Sequence, residues 1–144
     1  MKRIFGLFLL VSMSLVFSCT KEADNDEHST CDWKEETLTV DLNKCGNVTF
    51  GNDVLTICLD SVHDSRCPTN ANCIWGGTAI TDLTFTRKEQ SLNFTLAIPP
   101  FASHQQEISL SGYTIKLINV YPYPELGITP SPDQVKVKLE IRNY

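Results

Sequence analysis

From about residue 33 to the C-terminus, apolar and polar positions alternate with a period of two, and the spacing of an amphipathic helix is missing. "TLTVDL" (37–42) sets Leu38, Val40 and Leu42 on one face, and "VLTICLDSV" (54–62) sets Leu55, Ile57 and Leu59 opposite Thr56, Cys58 and Asp60. "SLNFTLAI" (91–98) alternates Leu92, Phe94, Leu96 and Ile98 with smaller or polar residues. The last run, "QVKVKLEIR" (134–142), is the most regular: Val135, Val137, Leu139 and Ile141 face one way, and Lys136, Lys138, Glu140 and Arg142 the other. Shorter strands fit "NVTF" (47–50), "TAITDLTF" (78–85), "EISL" (107–110) and "YTIKLINVY" (113–121). In the last of these the apolar phase slips at Leu117–Ile118, which predicts a β-bulge.

About 7–8 short strands separated by turn residues predict an all-β domain, a single antiparallel β-sandwich or a small barrel. Alternation with a polar face favours antiparallel pairing with one side wet. Two connections, "IPPFASHQQE" (98–107) and "YPYPELGITPSPD" (121–133), hold most of the prolines. Proline stiffens such loops and removes backbone donors, and long loops on a rigid scaffold are where binding concentrates. Phe101, Tyr121 and Tyr123 are therefore ligand-contact candidates; the plainer expectation is that they cap the open end of the core.

The N-terminus changes the picture. "MKRIFGLFLLVSMSLVFSC" has basic Lys2 and Arg3, an apolar run from Ile4 to Phe17, and Ser18 before Cys19. That run is short for a membrane span and suits a signal-peptide core. "VFSC" resembles a bacterial lipobox, with Phe17 an unusual occupant, so residues 1–18 are expected to be a signal peptide and Cys19 a lipidated new N-terminus. An ordinary secretory signal cut near Ser18 is the alternative. Residues 19–32 then form a flexible acidic tether, with Glu22, Asp24, Asp26 and Glu27 and no large apolar residue between Cys19 and Cys31. Such a run resembles the export signal of surface-exposed lipoproteins in Bacteroidetes-type bacteria, which implies an outer-membrane lipoprotein displayed at the surface; a plain solvated spacer is the alternative. The remaining 33–144 is expected to be one β-domain.

Loss of the leader removes two of 12 basic residues against 17 acidic ones. That balance argues against nucleic acid as a partner and leaves membrane attachment to the acyl chains on Cys19.

The most distinctive stretch is "DSRCPTNANCIWGG" (64–77). In an oxidising compartment cysteines favour disulfides, and Cys67 with Cys73 is the first expected pair, stapling a hairpin end. Cys31 and Cys45, which flank the first strand, come next; Cys58, in mid-strand, reads as a free buried thiol. The count leaves the full connectivity open. Asp64 can cap the turn, and Arg66 can pair with Asp64 or lie on the Trp75 ring. Trp75 is expected to pack on the disulfide as a core anchor, with Gly76 and Gly77 allowing close backbone approach. The functional counter-reading turns Arg66 and Trp75 outward as a binding hot spot.

Catalytic and metal chemistries find little support. A redox pair needs tighter spacing at a helix start. A zinc site beside Cys67 would enlist His63 and Asp64, but the spacing is wide and His28 and His104 are distant in sequence. Hydrolase motifs such as Gly-x-Ser-x-Gly are missing. No enzyme activity, metal or cofactor is expected.

Asp64-Ser65-Arg66-Cys67-Pro68, a polar stretch, then Cys73-Ile74-Trp75 and a small residue before Gly77 resembles a signature of small, uncharacterised extracytoplasmic bacterial lipoproteins of the Bacteroidetes type. Gly76 stands where that group usually has alanine. The resemblance implies fold and location and brings no catalytic residue. The resulting expectation is a lipid-tethered binding or accessory module for a protein or glycan ligand. Alternatives are a purely structural envelope lipoprotein and, more weakly, a metal-handling protein or a hydrolase using His63 or His104.

Overall fold

The alternating pattern forms eight strands in a computed structural model that describes residues 34–144. The expected leader, Cys19, the expected tether and Cys31 lie outside the described residues. The strands are β1 (Glu35–Asp41), β2 (Cys45–Phe50), β3 (Asp53–Asp64), β4 (Ala79–Arg87), β5 (Gln90–Ile98), β6 (Glu107–Leu110), β7 (Tyr113–Tyr121) and β8 (Lys136–Asn143). One 3₁₀ turn, Pro132–Gln134, precedes β8.

Two four-stranded antiparallel sheets result, in the orders β1-β8-β7-β6 and β2-β3-β4-β5. The chain is all-β and the architecture is a sandwich. Each sheet turns its apolar alternation inward: Leu55, Ile57, Leu59, Leu83, Phe85 and Leu96 meet Ile115, Leu117, Val137, Leu139 and Ile141, all essentially without solvent contact. Leu92 belongs to the same alternation but is exposed, because β5 lies at a sheet edge and leaves its first residues uncovered.

Two bulges adjust this pattern. The register shifts between Leu117 and Asn119 in β7, where the apolar phase slips in the sequence, and between Leu59 and Ser61 in β3. An extra residue flips the side-chain parity of the strand beyond it. Val120 and Val62 thereby return to the inner face after Ile118 and Asp60.

The two ends of the sandwich differ. At one, tight turns join Phe50 to Asp53, Arg87 to Gln90 and Leu110 to Tyr113. Gly51, Lys88, Ser111 and Gly112 take the positive φ that such turns need. β1 begins and β8 ends here, with Glu35 opposite Arg142. At the other end, long connections follow β3, β5 and β7. The tight-turn end is latched across the sheets. Arg87 of β4 donates to the Asp53 carboxylate and, at 2.9 Å, to the Ser111 carbonyl. The Tyr113 hydroxyl donates to the same carboxylate at 3.0 Å.

Among the described residues two disulfides form, Cys67–Cys73 and Cys45–Cys58. The second corrects two expectations: Cys45 does not pair with Cys31, and Cys58 is not a free thiol. The cause is register, since β2 folds back along β3 with Cys45 directly opposite Cys58.

Non-reducing peptide mass spectrometry should recover Cys45–Cys58 and Cys67–Cys73 as linked peptides; a Cys31–Cys45 peptide would contradict this register. Loop-closure entropy assigns about 3 and about 2 kcal/mol to the two bridges. A second prediction concerns acid. The Arg87 hydrogen bond, then that of Tyr113, holds the Asp53 carboxyl below its ordinary range. A depressed folded-state pKa stabilises fully above the unfolded value of about 4 and is lost as pH falls below it. The urea midpoint should therefore drop between pH 5 and pH 3, and Asp53→Asn should make that drop shallower.

Candidate functional site

The three long connections meet at one end and are bonded to one another. Ser65 and Cys67 extend the β3–β4 ladder, their N–H groups donating to Thr78 and Gly76 carbonyls at 2.9 and 2.8 Å. The crossing is tight at Gly77, which has φ +68°; a Cβ there would sit 1.9 Å from the Ser65 carbonyl oxygen. Only glycine fits. Thr69 N–H donates to the Pro124 carbonyl at 3.0 Å, and Leu126 N–H to Asn70 Oδ1 at 2.7 Å, joining the cysteine loop to the β7–β8 loop. The Thr78 hydroxyl donates to the Pro99 carbonyl at 2.8 Å, joining it to the β5–β6 loop.

Arg66 lies at the centre of this junction and is buried. Its Nε donates to both Asp64 oxygens, at 2.9 and 3.1 Å, and the Arg66 backbone N–H donates to Asp64 Oδ1 at 3.0 Å. Nη2 reaches across to the other sheet, donating to the Val120 carbonyl at 2.9 Å and the Pro122 carbonyl at 3.3 Å. The guanidinium carbon stands 4.4 Å from the centre of the Tyr123 ring. The pairing with Asp64 is as the sequence suggests, but the stacking ring is Tyr123 rather than Trp75. As a ligand-contact candidate Arg66 is corrected: the side chain is buried, and its Nε and Nη2 donate within the protein.

Trp75 is corrected in the opposite direction. It is 62% exposed and does not anchor the core; its ring meets Phe101 edge-on at 6.0 Å. The left-handed backbone at Gly77 breaks the strand alternation just after it. Phe101, Tyr121 and Tyr123 are also substantially exposed, so they do not cap the core as plainly as expected. Sequence reasoning passed over Ile74, Leu126 and Ile128, which stand in the open on the same loops. Their signal was visible as large apolar residues inside loops otherwise rich in Pro, Gly, Asn and Thr.

Among the described residues the histidines do not build a centre of their own. His63 is exposed at the end of β3. His104 is half-buried with Nδ1 unpartnered, on the same side as the Asp82 carboxyl. That carboxyl is held down chiefly by hydrogen bonds from Ser61 and Thr95, at 2.7 and 2.8 Å. Among the described residues no group of three or more His, Cys, Asp or Glu is placed to hold a metal ion. Compared with known proteins, the chain matches no family model, no curated protein and no solved structure.

The contrast between the two loop residues is measurable. Arg66→Met leaves the Asp64 carboxylate without its cation and two carbonyls without their donor, and should cost about 3 kcal/mol in urea unfolding. Trp75→Ala removes a mostly solvated ring and should cost less than about 1 kcal/mol. Equal losses would show that Trp75 is a core anchor after all.

Proposed function

We propose that the chain is an envelope lipoprotein, tethered through an acylated Cys19, whose long-loop end is a binding surface for a protein or glycan ligand. One observation carries the reading. Of the ten large apolar side chains that stand exposed among the described residues, seven lie at this end: Ile74, Trp75, Phe101, Tyr121, Tyr123, Leu126 and Ile128. Single exposed apolar residues are ordinary, but a concentration of them marks an interaction site. A purely structural component would bury these aromatics.

Two further facts support it. The loops are held by a disulfide, prolines and mutual hydrogen bonds, so little conformational freedom is left to lose on binding. The chain also enters β1 at the tight-turn end, opposite the loops.

Two measurements test this. Cys19→Ser should move the protein from the membrane fraction to the soluble one; continued membrane partition would refute the lipid anchor. A photo-crosslinking amino acid at position 75 or 101 should give discrete adducts in intact cells, and one at position 89, in the β4–β5 turn, should give none. Adducts independent of position, or confined to 89, would refute the loop end as the binding surface.

A further inference from the structure

Between the sheets at the loop end lies a cavity of about 220 Å³, walled by Leu42, Val62, Val120, Tyr121, Pro130 and Val135. Both bulges help to make it, because each restores to the inner face one of its valines, Val62 or Val120. Pockets that enclose a whole drug-sized ligand run to roughly 300–1,000 Å³, so this one suits something smaller, of side-chain size.

Its chemistry narrows the occupant further. The one charged group in the wall, Asp64, is already neutralised by Arg66, and the Val120 and Pro122 carbonyls accept from the same guanidinium. A charged or strongly polar guest would lose its water and find little in return. The surroundings carry the same character. Across residues 65–78, 99–106 and 122–135 the only charged side chains are Arg66, Glu125 and Asp133, and Arg66 is buried. Depletion of charge with enrichment of aromatic residues is the composition of a protein-interface core. The exposed aliphatic side chains Ile74, Leu126 and Ile128 also favour a protein over a sugar. They offer no flat ring to stack on, and Asn70 Oδ1 and the Thr78 hydroxyl are spent inside the loops.

We infer that this cavity is the anchor point for a partner protein, which inserts one uncharged apolar side chain, leucine- to phenylalanine-sized, while its uncharged surroundings cover the exposed apolar loop residues. The inference rests on the loop end being the binding surface and names the class of ligand it takes.

Methyl-labelled chain from residue 19 onward, carrying Cys19→Ser, would be titrated by NMR with N-acetyl-leucinamide and N-acetyl-phenylalaninamide. The Val62, Val120 and Val135 methyl signals should shift and saturate with a Kd on the order of millimolar, as befits so few contacting atoms. N-acetyl-lysinamide and cellohexaose should leave them in place. Val135→Phe, which fills the cavity, should abolish the shifts; Tyr121→Ala, which opens one wall, should weaken them at least about threefold. Shifts that are absent, equal for the lysine probe, or unchanged in both variants would overturn the inference. If cellohexaose instead moves the Ile74 and Ile128 methyl signals, the surface binds a glycan and the apolar anchor falls alone. Crosslinks from position 75 without methyl shifts would likewise sink only the anchor.

Discussion

A guanidinium withdrawn from water organises one whole end of this molecule. Burying a charge is costly unless its partners are all supplied. Arg66 draws those partners from three places: the Asp64 carboxylate at the end of β3, the Val120 carbonyl in β7 and the Pro122 carbonyl just beyond it. β3 and β7 belong to different sheets, so satisfying one side chain fixes how the two sheets meet. Tyr123 closes over the guanidinium from the following loop. The loops cannot shift far without exposing or orphaning a charge.

The opposite end reaches the same goal by different means. There Arg87, Asp53 and Tyr113 tie the sheets together, but two-residue turns leave little surface above them. The asymmetry has a physical consequence. Short turns contribute stability and few side chains, whereas the long connections carry many side chains and need the disulfide, the Gly77 crossing and the Arg66 junction to hold them. A stable scaffold and a rigid presentation of exposed apolar residues are therefore separate achievements, placed at opposite ends.

Much of this was legible in the sequence, and the exceptions share a cause. The strands were readable because burial of one face imposes a period of two, and the β7 bulge because it interrupts that period at Ile118. The Cys67–Cys73 staple was readable because its partners are near in sequence. Cys45–Cys58 was not, since it depends on which residues β2 and β3 set opposite each other, and spacing along the chain says nothing of register. The fate of Arg66 and Trp75 was legible only in part. Asp64 is two residues from Arg66, but Val120, Pro122 and Tyr123 are far off and meet it only through folding. For Trp75, hydrophobicity argued for burial, and nothing local revealed that its ring would meet Phe101 in the open.

The sheet edges bear on how such a protein can recognise anything. An exposed strand edge invites a partner to add a strand through backbone hydrogen bonds. Near the loop end both seams between the sheets are occupied. On one side Asn43 N–H donates to the Leu59 carbonyl and Leu59 N–H to that of Lys44; on the other Ala97 and Leu117 N–H groups donate to the Gln105 and Gln106 carbonyls. Backbone groups there are spent within the fold, so strand addition has little to grip. In the proposed binding role, recognition at this end would fall instead to side chains on rigid loops and to the cavity they surround. Their contribution would depend on shape and apolar area rather than on charge, in a chain whose formal charge is otherwise −5. Salt would therefore be expected to alter such binding little, whereas filling or opening the cavity would alter it strongly.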